Sequence, residues 1–157
     1  MNLVNTIYDD LSYAVIGAAM EVHSELGPGF PEKVYHEALM IALAEREVPA
    51  EKQVTCMVDF HGRPVGEFRL DILVDEALVV ELKALDELTS KHQQQVISYL
   101  TVTGREAGLL LNLGTERLQK KRIFPPRRVQ DSQPYKRRRD AWKSGWLRQR
   151  KQEQGQK

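Results

Sequence analysis

Between Phe68 and Lys83 the chain reads Phe-Arg-Leu-Asp-Ile-Leu-Val, then Asp-Glu-Ala, then Leu-Val-Val-Glu-Leu-Lys, and no other stretch restricts the fold so much. Two runs of strand-forming residues flank a three-residue turn, which predicts an antiparallel hairpin. With Val74 facing Leu78, counting back along both strands sets Asp71 opposite Glu81, and the two-residue period puts Lys83 on the same face. Opposed β-carbons lie about 4.5–5.5 Å apart, close enough for both carboxylates to hold one divalent cation. Leu70, Ile72, Val74, Val80 and Leu82 fall on the other face, an unbroken apolar surface expected in the core. A half-exposed hairpin also carries such charges for solubility and cross-strand pairing, and the hairpin alone favours that plainer use.

The flanking sequence predicts mixed α and β structure. Ile7, Leu11, Ala14, Val15, Ala18, Val22 and Leu26 recur at spacings of three and four, the mark of an amphipathic helix over about 7–25 that Gly27-Pro28-Gly29 ends. Pro31 suits the first turn of a second helix, whose stripe of Tyr35, Ala38, Leu39, Ala42 and Leu43 runs on until Pro49. Strands are expected near 53–60, 66–74 and 78–84, a polar helix over about 90–102, and two further strands near 108–113 and 118–124.

Beyond Pro125-Pro126 the apolar periodicity is lost, so the chain divides into a domain over 1–126 and a basic, flexible tail over 127–157. Charge divides in the same way. Residues 1–119 hold 9 Lys/Arg and 19 Asp/Glu, a net −10, and residues 120–157 hold 14 and 3, a net +11. Lys136, Arg137, Arg138, Arg139, Arg148 and Arg150 are the footprint expected on nucleic acid, with a solubilising or body-binding tail as the alternative. Trp142 and Trp146 lie four apart and share a helical face suited either to stacking on bases or to packing on the body.

The longest apolar runs fall well short of the roughly 20 residues that cross a bilayer. Met1 to Asn5 carry no basic, apolar leader, and a single cysteine, Cys56, excludes an internal disulfide, so a reducing, cytoplasmic setting is expected. One cysteine also excludes an iron–sulfur cluster and leaves any metal to oxygen ligands.

The ten-residue spacing from Asp71 to Glu81-Leu82-Lys83 resembles the signature of the PD-(D/E)XK nuclease superfamily, with Leu70 where a proline often stands. Gln95-Val96-Ile97-Ser98-Tyr99 resembles the Gln-x-x-x-Tyr element of its RecB-like branch, and Gly29-Phe30-Pro31-Glu32-Lys33-Val34-Tyr35 resembles the GxxExxY proteins. The resemblance covers roughly residues 8–124.

It implies an α/β (α+β) fold with a central mixed sheet flanked by helices, and a Mg2+- or Mn2+-dependent nuclease with Glu32, Asp71 and Glu81 as ligands. Lys83 would serve the attacking water, and Gln95 and Tyr99 would hold a phosphate or brace Lys83. Tyr35 and His92 are further candidates, each with a plainer reading, core packing for Tyr35 and an exposed helix position for His92. His23 has an ordinary place at a helix C-terminus. The expected partner is nucleic acid, DNA ahead of RNA, read with little sequence specificity, and a homodimer stays open. The alternative is a catalytically silent module on the same fold that binds nucleic acid or a protein.

Overall fold

A computed structural model describes residues 3–156, with side chains from Thr6 onward; Met1 and Asn2, read above for a leader, and Lys157 lie outside the described residues, as do the side chains of Leu3 to Asn5. The chain runs α1 (Leu3–Leu26), α2 (Glu32–Glu45), β1 (Ala50–Phe60), β2 (Arg63–Val74), β3 (Leu78–Lys83), α3 (Ser90–Thr103), β4 (Ala107–Asn112), β5 (Gln119–Ile123), α4 (Arg127–Gln130) and α5 (Gln133–Gly155). The strands form one sheet in the order β1-β2-β3-β4-β5, antiparallel except for the parallel pair β3–β4, which α3 connects. This is the mixed sheet flanked by helices that the family resemblance implies, where periodicity alone gave mixed α and β. Among the described residues no helix is long and apolar enough to cross a membrane.

Local chemistry sets the element ends. Gly27 takes the left-handed conformation (φ 68°) that caps α1, donating its N–H to His23 O at 2.8 Å. Thr89 opens α3 in a capping box, with its N–H donated to His92 Nδ1 at 2.9 Å.

Two cores lie on the two faces of the sheet. Val15, Ala18, Leu39 and Leu43 of α1 and α2 pack with Ile72, Val74, Val80 and Leu82 on one side. Val96 and Leu100 of α3 pack with Leu70, Leu73, Val79, Leu110 and Ile123 on the other. Here the structure differs from the expected single apolar face, because Leu70 parts from Ile72 and joins the α3 side. The β1–β2 ladder pairs Lys52 with Ile72 and Val54 with Leu70 but skips Gln53 and Asp71, and Gln53 has a left-handed φ of 53°. The register is the same on both sides of this break, yet Leu70 and Ile72, two apart, fall on opposite faces.

The expected flexible tail is also corrected. Residues 127–155 are largely helical, and Tyr135 and Trp146 of α5 are buried at 2% and 4% exposure. Trp142 and Trp146 pack on the body, their indole N–H groups donating to Gly104 O and Asp75 O, both at 2.9 Å. Gly104 permits the docking. A Cβ added there would lie 2.3 Å from Arg139 N, so α5 crosses the end of α3 where no side chain intervenes. The low apolar content of α5 hid this from periodicity, while the attraction of a +11 segment to a −10 body favours it.

Candidate active site

Glu81 and Lys83, two apart on β3, point to the α3 side of the sheet, with Lys83 Nζ 3.4 Å from Glu81 Oε1. The hairpin register holds from Val74–Leu78 to Ile72–Val80, which brings Asp71 alongside Glu81 as counted. There Asp71 leaves the ladder and its Oδ2 accepts the Leu82 N–H at 3.0 Å. A glutamate placed for solubility is exposed, whereas Glu81 is 3% exposed, and its Oε2 is buried with no hydrogen-bond partner. Burial first, and the Asp71 charge second, push the Glu81 carboxyl up to about 8, against the opposing pull of Lys83.

Helix α2 brings Glu32 and His36 to the same place. Glu32 opens the helix, and its carboxyl is raised by desolvation first and then by Asp71, with Lys83 and His36 pulling it down. It feels the Asp71 charge, yet among the described residues no three His, Cys, Asp or Glu side chains gather into a metal cluster. Tyr35 lies fully buried, in the core rather than at the site. Its hydroxyl donates to Gly27 O at 2.6 Å and accepts the Phe30 N–H at 3.1 Å, closing the loop that presents Glu32. Tyr35→Phe leaves both backbone groups short of a partner and is expected to cost about 2 kcal/mol, read as a fall of roughly 4–8 °C in Tm.

His36 is a site residue that sequence reasoning missed. It is 6% exposed, and its Nε2 lies 3.0 Å from Asp71 O. The available signal was its spacing of four from Glu32, which puts both on one helix face.

From α3, Gln95 Nε2 donates to Tyr99 Oη at 2.8 Å, and the Tyr99 ring stacks on Phe68 with centroids 4.5 Å apart. The Tyr99 hydroxyl is raised by burial and then by the charge of Glu81. His92 does not join them, because its Nδ1 is engaged in the α3 cap. His23 Nε2 lies 2.8 Å from Thr115 O, in a loop contact near the end of α1.

The six cations expected on nucleic acid divide. Arg150 pairs with Asp75 and lies over the Trp146 ring at 4.9 Å, and Arg138 donates to Thr101 O at 3.3 Å, so both serve the docking of α5. Arg139 pairs with its neighbour Asp140 at 3.0 Å. Lys136 is half-buried, and Arg137 and Arg148 are exposed.

A divalent cation fits the pair of carboxylates. A buried carboxylate oxygen without a partner is costly, and a hard cation held by oxygen ligands is one group that relieves the cost. Mg2+ commonly binds through one or two carboxylates, with waters and substrate phosphate filling the rest, so Asp71 and Glu81 suffice as the protein's share.

The model of the PD-(D/E)XK nuclease superfamily matches residues 9–123, most of the chain and all of the site just described. The chain belongs to that superfamily. Comparison with curated proteins finds no match. Among solved structures, "Crystal structure of SSO0001" is similar in fold, with a TM-score of 0.51 and 22% identity over 60% of this chain. The match spans 50% of that other chain, so this protein corresponds to about half its length.

Proposed function

We propose that the protein is a divalent-cation-dependent nuclease that hydrolyses phosphodiester bonds in nucleic acid, DNA ahead of RNA, with little sequence specificity. The observation that carries this reading is the buried, partnerless Oε2 of Glu81 beside Asp71 and Lys83. Membership of the nuclease superfamily supports it. So does the match of Gly29, Glu32 and Tyr35, and of Gln95 and Tyr99, to the GxxExxY and RecB-like patterns, the branch to which we assign the chain.

Asp71 and Glu81 would hold Mg2+ or Mn2+, with Glu32 as a third carboxylate. Such a cation supplies polarisation of the phosphate and a lowered pKa for bound water. Lys83, half-buried and already aimed at Glu81, donates to the attacking water or to a phosphate oxygen and offsets the charge that builds there. Gln95 and Tyr99 hold the phosphate from the α3 side, with the Tyr99 ring fixed against Phe68. Arg137 and Arg148 add nonspecific backbone affinity that weakens steeply with salt. The protein works in the cytoplasm, and a homodimer is compatible with this reading.

The test is incubation with single- and double-stranded DNA and RNA under Mg2+ and Mn2+, beside EDTA and a Lys83→Ala variant. Cleavage is expected with metal, absent in EDTA, and lowered about 100-fold or more in Lys83→Ala. Binding without cutting in every condition would instead establish the silent module.

A further inference from the structure

Asp71 sits in a gap of the sheet. The ladder to β1 skips it, and the pairing with β3 stops one residue short, at Ile72–Val80. Its carbonyl is taken by His36 Nε2 at 3.0 Å, and its carboxylate by the Leu82 N–H at 3.0 Å. Across the gap, Gln53 adopts φ 53° in mid-strand, a conformation that residues other than Gly, Asn, Asp and His rarely visit. Strain of this kind persists where the surrounding structure holds it and gathers at functional sites. Extended backbone at Gln53 would offer Asp71 an ordinary cross-strand partner and draw it back into the ladder.

Resting on the nuclease reading, we infer that His36 and Gln53 are positioning residues for the metal site, which together hold Asp71 out of the sheet so that its carboxylate faces Glu81. His36 acts from above, by donating to the Asp71 carbonyl in place of a strand. Gln53 acts from the side, by breaking the pairing of β1 there. Neither touches the reacting atoms. Both also line a polar hollow of about 310 Å3 beside the site, with Glu32, Lys33, Glu37 and Lys52.

The same geometry explains why the helix and the strand must be placed together. His36 lies four residues after Glu32 on α2, so one helix both presents Glu32 to the site and fixes the backbone of Asp71. Partners that orient metal ligands typically govern metal affinity by 10- to 100-fold, and that is the size of effect expected here.

Calorimetric titration with Mn2+ alone tests this on the full chain, alongside cleavage assays. His36→Phe fills the space without a donor, and His36→Gln keeps an N–H at a similar reach. Mn2+ affinity is expected to fall about 10-fold or more in His36→Phe and to return to within about threefold of the parent in His36→Gln, with KM for DNA little changed. Gln53 is exposed, so its variants test the break without disturbing the core. Gln53→Gly is expected to keep Mn2+ affinity, and Gln53→Val, whose branched side chain disfavours positive φ, to lower it about 10-fold. A parent chain that binds Mn2+ and cuts DNA while His36→Phe and Gln53→Val match it would overturn the inference and leave the nuclease reading standing. A parent chain that takes up no Mn2+ would overturn both.

Discussion

Replacing Glu81 by glutamine is expected to abolish cleavage and, in metal-free protein at pH 8, to raise stability. The two effects share one cause. Burial and the neighbouring Asp71 hold the Glu81 carboxyl at about 8, against 4.5 for an ordinary glutamate. Between those values the folded chain keeps a proton that the unfolded chain releases, so the unfolded state binds fewer protons and stability falls as pH rises. The Glu81 contribution is thus most favourable below about pH 4.5, declines through the window up to about pH 8, and changes little beyond it.

Glutamine keeps the shape and stays neutral, so it escapes this penalty, on the order of 4 kcal/mol or roughly 8–16 °C in Tm. Its gain over the parent, measured in EDTA, should shrink as the pH is lowered toward 5. A variant no more stable than the parent at pH 8 would show that the buried charge costs nothing. In assays with Mg2+, loss of the anionic ligand should lower the rate about 100-fold or more. Stability gained with activity lost is the signature of a site kept at a cost to the fold.

Much of this arrangement is legible in the sequence because it rests on period and register. Counting along two strands puts Asp71, Glu81 and Lys83 on one face and a spacing of four puts Gln95 with Tyr99, while their reading as a site came from the family resemblance. The break at Gln53 is not legible, because a left-handed residue in mid-strand leaves no compositional trace when it is not glycine. Leu70 on the α3 side and His36 on the Asp71 carbonyl both sit at this break in the pairing, so a strict period of two reveals neither. The burial of the Glu81 face is a separate matter. A parallel strand pair needs cover on both faces, and α3 supplies it by burying Val79 beside Glu81.

The docked α5 leads to the other large effect. Trp146→Ala is expected to destabilise the protein by about 3–5 kcal/mol, and so to lower Tm by roughly 6–20 °C. The ring is 4% exposed, stacks on Tyr8 with centroids 6.1 Å apart, and donates its N–H to Asp75 O. Its removal leaves a hole between α1 and the β2–β3 turn and also strands Arg150, which lies over the ring while pairing with Asp75. Arg148→Ala, at an exposed position on the same helix, is the matched control and should shift stability by less than about 0.5 kcal/mol. Trypsin offers an independent measure, since a docked α5 shields the Lys and Arg bonds after Tyr135 that a flexible tail exposes. If Trp146→Ala melts with the parent and trypsin trims both chains alike, α5 does not dock, and the cations of 127–157 are free to reach nucleic acid as a mobile arm. If the Tm falls as expected, only the outward cations such as Arg137 and Arg148 face solvent from a fixed surface, and the affinity they add is set by where that surface lies relative to Asp71 and Glu81.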